Sequence, residues 1–254
     1  QMYNLESCNS YHKEAVNLRN SAQKLLREGK RSEGLKLYKK SLECSKFFLC
    51  SLDPDCMVEK LKKQLTMPEK VQDTVSEFLA KSNCYLEYGS GGSTVLAAAH
   101  GVSSIYSVES DKEFCQKIEH QIKQLYTKSK FYPVYIDVGK TKRFGHPQDK
   151  SQVNAWPTYP TKAWSLLREN GETPDLILID GRFRVACFLV SVLFCSLGTY
   201  ILFDDYYDRP HYHIVEKYAK VVGRSGRLAI LMPKDRFDRK SAVLDLATYT
   251  LNPS

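Results

Sequence analysis

The strongest constraint on this chain is the alternation, from residue 83 onward, of short apolar runs with helical stretches. Residues 84–88, 104–108, 131–136, 176–179 and 200–203 read as five strands, most of them apolar throughout, as strands covered on both faces must be. Between them, residues 112–125 carry Phe114, Ile118, Ile122 and Leu125 at helical spacing, and residues 185–197 are apolar nearly all round. Strand, crossover and strand repeated in this way imply right-handed connections and a doubly wound, mostly parallel α/β sheet. Residues 220–222 and 228–231 flank Gly223-Arg224-Ser225-Gly226 and read as an antiparallel hairpin that closes a seven-stranded sheet. The rhythm breaks at residues 139–164, a long connection carrying Phe144, His146, Trp156, Tyr159 and Trp164; its aromatic content suits an ordered lid.

Ahead of this domain the pattern is helical. Ala15, Leu18, Ala22 and Leu25 recur at helical spacing over residues 11–28, with Gly29 as a left-handed stop. Ser32 can cap a second helix to residue 49 with Leu35, Tyr38 and Leu42 on one stripe. The stretch from Leu25 through Gly34-Leu35 to Leu42 resembles a single tetratricopeptide repeat. One copy cannot bury a continuous core, so the expectation is a packing hairpin and not a peptide-binding array. Thr66 and Glu69 have capping-box spacing around Pro68 and open a helix buried through Val71, Val75, Phe78 and Leu79. The organisation expected is therefore a helical extension over residues 1–65 and a sheet domain over 66–254.

The formal charge is +8, and residues 1–70 hold 14 Lys and Arg against 9 Asp and Glu. Lys39-Lys40 and Lys62-Lys63 read as solvated helix faces, because the aromatic and Gly/Arg interleaving of RNA binders is missing. Nucleic acid is thus disfavoured as a partner, and a preference for acidic partners stays open. No apolar run reaches the ~18 residues of a membrane span. Cys84, Cys115, Cys187 and Cys195 lie in apolar patterns as small buried hydrophobes. In the helical hairpin, Cys8 comes near Cys44 or Cys50, with Cys56 close by in sequence, so at least one disulfide is expected. That bridge favours the secretory pathway over the cytoplasm. A chain beginning at Gln1 fits either a trimmed terminus or signal removal, and no Asn-x-Ser/Thr sequon supports secretion.

The chemistry-bearing run is Glu87-Tyr88-Gly89-Ser90-Gly91-Gly92-Ser93-Thr94, which follows the first strand and opens a helix. Its glycines allow a tight turn and close approach to a ligand at exposed helix N–H groups. The second strand ends in Val108-Glu109, a carboxylate some 20 residues beyond Gly89 that can accept two hydrogen bonds from a ribose. A dinucleotide fingerprint wants glycine where Thr94 stands, which disfavours NAD. With Asp175-Leu176-Ile177-Leu178-Ile179-Asp180-Gly181 further on, the run resembles the class I S-adenosylmethionine-dependent methyltransferases, over residues 71–232. The resemblance implies that Glu87, Gly89, Ser90, Gly91, Ser93 and Thr94 form the cofactor turn, with Gly89, Gly91 and Ser93 facing the methionine moiety and Glu109 the ribose. Asp137 sits where adenine is usually contacted, or else caps its own loop.

Acceptor chemistry belongs at the ends of the fourth and fifth strands. Asp180 and Asp204-Asp205 land there, and can bind a divalent cation such as Mg²⁺ through oxygen, as the metal-dependent O-methyltransferases do with Asp and Asp-Asn; alternatively an Asp caps the following turn. Asp180, Asp205, His211 or His213 can remove the acceptor proton. Arg182 and Arg184 either bind an anionic acceptor or neutralise Asp180 and Asp204. Tyr206, Tyr207 and Trp156 complete the expected acceptor wall. The reading is a methyltransferase of a small-molecule acceptor, in a chain that can assemble as a homo-oligomer. Its alternatives are another transfer reaction on the same cofactor fold, or a binding or scaffold subunit docked through the N-terminal hairpin.

Overall fold

The computed structural model describes residues 5–51, 53–125, 127–142 and 145–254, with residues 5–11, 46–51 and 54 by their backbone alone. Two compact units divide the chain, Gln1–Lys60 and Leu61–Ser254. The first contains α1 (Leu5–Arg27) and α2 (Arg31–Ser51), and α3 (Pro54–Lys62) runs across the boundary. Gly29, at φ 78°, supplies the left-handed turn between α1 and α2. Small residues let the two helices close. Ala15, Ala22 and Ser41 are buried, the Ser41 hydroxyl donates to the Ala15 carbonyl at 2.8 Å, and a Cβ on Gly34 would stand 2.7 Å from Leu26. Leu35, Tyr38 and Leu42, expected on the inner stripe, are instead exposed. Cys44 and Cys56 are free thiols, so neither joins the expected disulfide; Cys8 and Cys50 lie outside the residues whose side chains are described.

The second unit is built on β1 (Cys84–Tyr88), β2 (Ser104–Glu109), β3 (Lys130–Tyr135), β4 (Leu176–Ile179), β5 (Tyr200–Phe203), β6 (Ala219–Ser225) and β7 (Leu228–Pro233). Their order is β3-β2-β1-β4-β5-β7-β6, parallel except for β7, which runs antiparallel to both neighbours. The central strands are buried on both faces, as their continuous apolar runs require. Around them lie α4 (Glu69–Leu79), α5 (Gly92–Ala99), α6 (Lys112–Leu125), α7 (Thr158–Glu169), α8 (Arg184–Phe194) and α9 (Arg239–Tyr249). Among the described residues no helix is long and apolar enough to cross a membrane.

Three local expectations differ from the structure. Pro68 occupies the N-cap of α4 without a side-chain cap, and the Gln72 amide, not a capping box, secures the entry by donating to the Leu65 and Met67 carbonyls. The β6–β7 turn falls at Gly226-Arg227 because Gly226 takes φ 56°, while Gly223 stays inside β6 beside a bulge. The long connection ends in a helix: α7 begins at Thr158 and admits Pro160 in its first turn, where no backbone N–H is needed.

Candidate active site

The ladder continues one residue past the strands and lines up their carboxyl ends. The Gly89 N–H donates to the Val108 carbonyl, Asp180 N–H to Tyr88, Asp204 N–H to Ile179 and Ile136 N–H to Glu109, all at 2.8–3.0 Å. The glycine turn, Glu109, Asp180 and Asp204 therefore share one edge, the edge where open α/β sheets bind ligands.

Gly89 takes φ 95°, and a Cβ on it would stand 2.7 Å from the Gly181 Cα. Gly181 is equally enclosed, 2.4 Å from the Tyr159 hydroxyl on the same construction. The β1 and β4 exits are thus in backbone contact, and both need glycine. Gly91 is extended, and a Cβ there would meet only Ser93 Oγ at 3.9 Å, leaving open space over the turn. The Ser93 and Thr94 hydroxyls both donate to the buried Glu87 carboxylate, and the Gly91 N–H donates to Thr94 Oγ1 at 2.9 Å. Ser90 Oγ pairs with Ser107 Oγ at 2.6 Å. These side chains tie the first turn of α5 to β1, so Ser93 offers a ligand its backbone and not its hydroxyl. Burial raises the Glu87 carboxyl to about 7, against the pull of its hydroxyl donors.

Glu109 is buried at the tip of β2. Its Oε1 accepts from the backbone N–H of Ser110 and Asp111 at 2.6 and 2.9 Å and from the Ser110 hydroxyl at 3.3 Å. Its Oε2 has no hydrogen bond among the described residues. Burial raises this carboxyl too. Asp137 is exposed and accepts from the Gly139 N–H at 2.9 Å, the loop-capping alternative. A fixed turn with open space above it and one orphaned acceptor oxygen fit an adenosyl ligand.

Asp180, Asp204 and Asp205 converge, with one oxygen of each within 4.8 Å of the others. Asp205 holds φ 56°, and Phe183, before α8, holds φ 53°; two left-handed non-glycine residues at one strand edge mark a site the fold keeps at some cost. Three guanidiniums face the three carboxylates. Arg184, 3 % exposed, meets Asp180 Oδ1 at 3.1 Å and Asp205 Oδ2 at 3.2 Å, and donates to the carbonyls of Gly181, Asp204 and Asp180. Arg227 meets both oxygens of Asp204 and, at 3.2 Å, Asp205; Arg209 meets Asp205 at 3.0 Å. The negative charge is already matched, and a divalent cation would have to sit among three guanidiniums. The residues do not fit Mg²⁺ or another divalent ion. Asp180 is the most open of the three, its side chain 27 % exposed. Burial, reinforced by Asp204 and Asp205 and opposed by Arg184, raises its carboxyl to about 8.

Other expected residues fall elsewhere. Trp156 is 3 % exposed, its indole N–H donating to the Val138 carbonyl and its rings packed on Phe183, so it belongs to the core and not to an acceptor wall. Tyr206 is also buried, its hydroxyl donating to Glu216 at 2.8 Å. Tyr207 lies under the Arg224 guanidinium, 3.9 Å from its ring centroid. His211 is exposed against Tyr212, and His213 stacks on Tyr206; neither contacts the carboxylates. Sequence reasoning gave no role to Arg209 and Arg227. The β5–β7 register, with Phe203 opposite Ala229, carries Arg227 opposite Asp205 when extended two residues.

A parallel sheet with an inserted antiparallel β7, and a glycine turn beside an acidic β2 tip, is the architecture of class I methyltransferases. A methyltransferase-like protein from Silicibacter pomeroyi matches at 31 % identity and TM-score 0.68, covering 74 % of this chain and 97 % of its own. The chain belongs to the class I S-adenosylmethionine-dependent methyltransferase family. An O-methyltransferase from Bacillus cereus in complex with SAH (14 % identity, TM-score 0.43, 73 % of this chain and 90 % of that one) overlaps more loosely. So does a ribosomal protein L11 methylase from Lactobacillus delbrueckii (12 %, 0.39, 67 % and 81 %). No protein-family model and no curated protein matches the sequence.

Proposed function

We propose that this chain transfers a methyl group from S-adenosylmethionine to a small-molecule acceptor, without a metal. The observation that carries the reading is Glu109: one carboxylate oxygen is fixed by two backbone N–H groups, and the other is left for a ribose at the strand edge beside the glycine turn. When bound, the cofactor supplies an electrophilic methyl on a sulfonium. The first N–H groups of α5, at the end of the glycine turn, would hold the amino-acid end of the cofactor. Asp180 takes the acceptor's proton; its raised pKa makes it a base matched to neutral conditions. Arg184 orients that carboxylate through Oδ1. The limited access to the base favours a small acceptor, since the Asp180 side chain is 27 % exposed and its neighbour Asp205 14 %.

Calorimetry with S-adenosylhomocysteine, followed by incubation of the protein with methyl-labelled cofactor and a low-mass metabolite extract, tests the proposal. Saturable binding and a labelled small product are expected. No binding overturns the cofactor assignment; label found only on protein or RNA overturns the acceptor class.

A further inference from the structure

We infer that Arg182 anchors an anionic group, a carboxylate or phosphate, of a ligand held at the glycine-turn edge; this rests on the proposed function and names the chemistry that its ligand must carry. Arg182 follows Gly181 at the exit of β4. Its Nε is buried with no hydrogen-bond partner, and its guanidinium has no ion pair among the described residues. Only its backbone is engaged: the N–H donates to the Tyr159 hydroxyl at 3.4 Å and the carbonyl accepts from Cys187 Sγ at 3.4 Å. The three nearby carboxylates are matched by Arg184, Arg209 and Arg227, so Arg182 is a fourth cation without a counter-charge. The groups acting on it are the cations Arg184 and Arg209 and the phenols Tyr159 and Tyr212, with no carboxylate among them. Burial and Arg184 lower its pKa, yet a guanidinium stays protonated at any physiological pH.

Arg182 is partly buried, so its unpaired charge has lost part of its hydration, and a ligand anion restores what was lost when it binds. The position suits this. A Cβ on Gly145 would stand 2.9 Å from Ser110 Oγ and 4.0 Å from Arg182 Cγ, so Gly145 neighbours both the stem of Arg182, leaving β4, and the residue beside Glu109 at the end of β2. The side chain thus lies along the edge that carries the glycine turn. Its planar fork matches carboxylate and phosphate in two parallel hydrogen bonds. Arg184 cannot take this role, because its donors are already on the aspartates and strand-end carbonyls.

Two sources can bring the anion: the amino-acid carboxylate of the cofactor, or an acid group on the acceptor. Binding of S-adenosylhomocysteine and of 5′-methylthioadenosine, which lacks the carboxylate, is measured on wild type and Arg182→Gln. If the cofactor supplies the anion, Arg182→Gln weakens S-adenosylhomocysteine about tenfold and leaves methylthioadenosine unchanged. If the acceptor supplies it, both nucleosides bind the variant normally, and wild type saturated with S-adenosylhomocysteine binds malonate or inorganic phosphate saturably while the variant does not. Equal loss of both nucleosides, or no difference in any ligand, overturns the inference. Should wild type bind neither nucleoside, the cofactor reading fails by itself, and Arg182-dependent malonate or phosphate binding to the free protein still decides this one. Arg182→Lys, which keeps the charge but not the fork, should recover only part of the affinity, and neither variant should melt below wild type, since the Arg182 guanidinium has no hydrogen bond or ion pair to lose among the described residues.

Discussion

Arg227 grips both carboxylate oxygens of the fully buried Asp204, its Nε donating to Oδ1 at 2.9 Å and its Nη2 to Oδ2 at 2.6 Å. The pair joins the β6–β7 turn to the exit of β5 and leaves Asp204 no water to fall back on. Breaking a buried pair from one side strands the other charge. Arg227→Ala should therefore destabilise the domain by about 3 kcal/mol, the low end for such pairs because Arg227 is partly exposed. Denaturant unfolding reads this directly, and a loss under about 1 kcal/mol would mean that Asp204 is solvated or protonated instead.

The two glycines of the cofactor turn should respond oppositely to one added methyl. At Gly89 the new Cβ meets Gly181 backbone at 2.7 and 2.8 Å with φ at 95°, and backbone cannot swing aside. Gly89→Ala should yield little folded protein. At Gly91 the same group has room and an ordinary extended backbone, so Gly91→Ala should melt like wild type yet bind S-adenosylhomocysteine at least several-fold more weakly. Equal stability of the two variants would refute the packing of β1 against β4.

Glu109 separates its structural and ligand roles by oxygen. Glu109→Gln keeps a carbonyl acceptor for Ser110 and Asp111 but loses the charge that would meet a ribose. Its melting should change little, while S-adenosylhomocysteine affinity should fall by about 1.5–3 kcal/mol. Unchanged affinity by calorimetry would move the ribose site elsewhere.

How much of this the sequence discloses follows the range of the interactions. The central strands β1, β2 and β4 are legible because strands covered on both faces must be largely apolar, and the glycine turn and Glu109 because a ligand-binding turn is local. α7 is hidden, since Pro157 and Pro160 imitate a loop although proline is tolerated at a helix start. Trp156 and Tyr206 read as an aromatic wall, but an aromatic carries no sequence mark for which face it packs on. The arginine cluster is least legible: Arg227 reaches Asp204 only through the antiparallel pairing of β7 with β5, a contact that spans 23 residues and depends on strand order. Arg182 and Arg184, two residues apart and indistinguishable in sequence, part company because only Arg184 turns back onto the strand ends.

The carboxylate cluster should ignore divalent ions. With three guanidiniums already beside the three aspartates, saturating Mg²⁺ should leave the melting temperature unchanged, and EDTA should leave both melting and S-adenosylhomocysteine affinity unchanged. A Mg²⁺-dependent rise in melting temperature that Asp205→Asn abolishes would restore a metal to the site.

Asp180 should reveal itself through pH. Its carboxyl is raised from 3.8 to about 8 in the folded chain, first by burial and then by Asp204 and Asp205. The folded state therefore holds a proton that the unfolded state has released, so the stability linked to Asp180 is complete below its unfolded pKa and is lost as pH rises through about 8. Asp180→Asn imitates the protonated form: it should melt like wild type only below the unfolded value of 3.8, gain on wild type as pH rises from there to about 8, and keep that gain above it. As the base for the acceptor, the wild-type residue works only once deprotonated, so kcat/KM should climb towards pH 8, and the Asn variant should lose roughly two orders of magnitude of it. An Asp180→Asn variant that is less stable than wild type at every pH would show an ionised aspartate held by Arg184, structural and not catalytic.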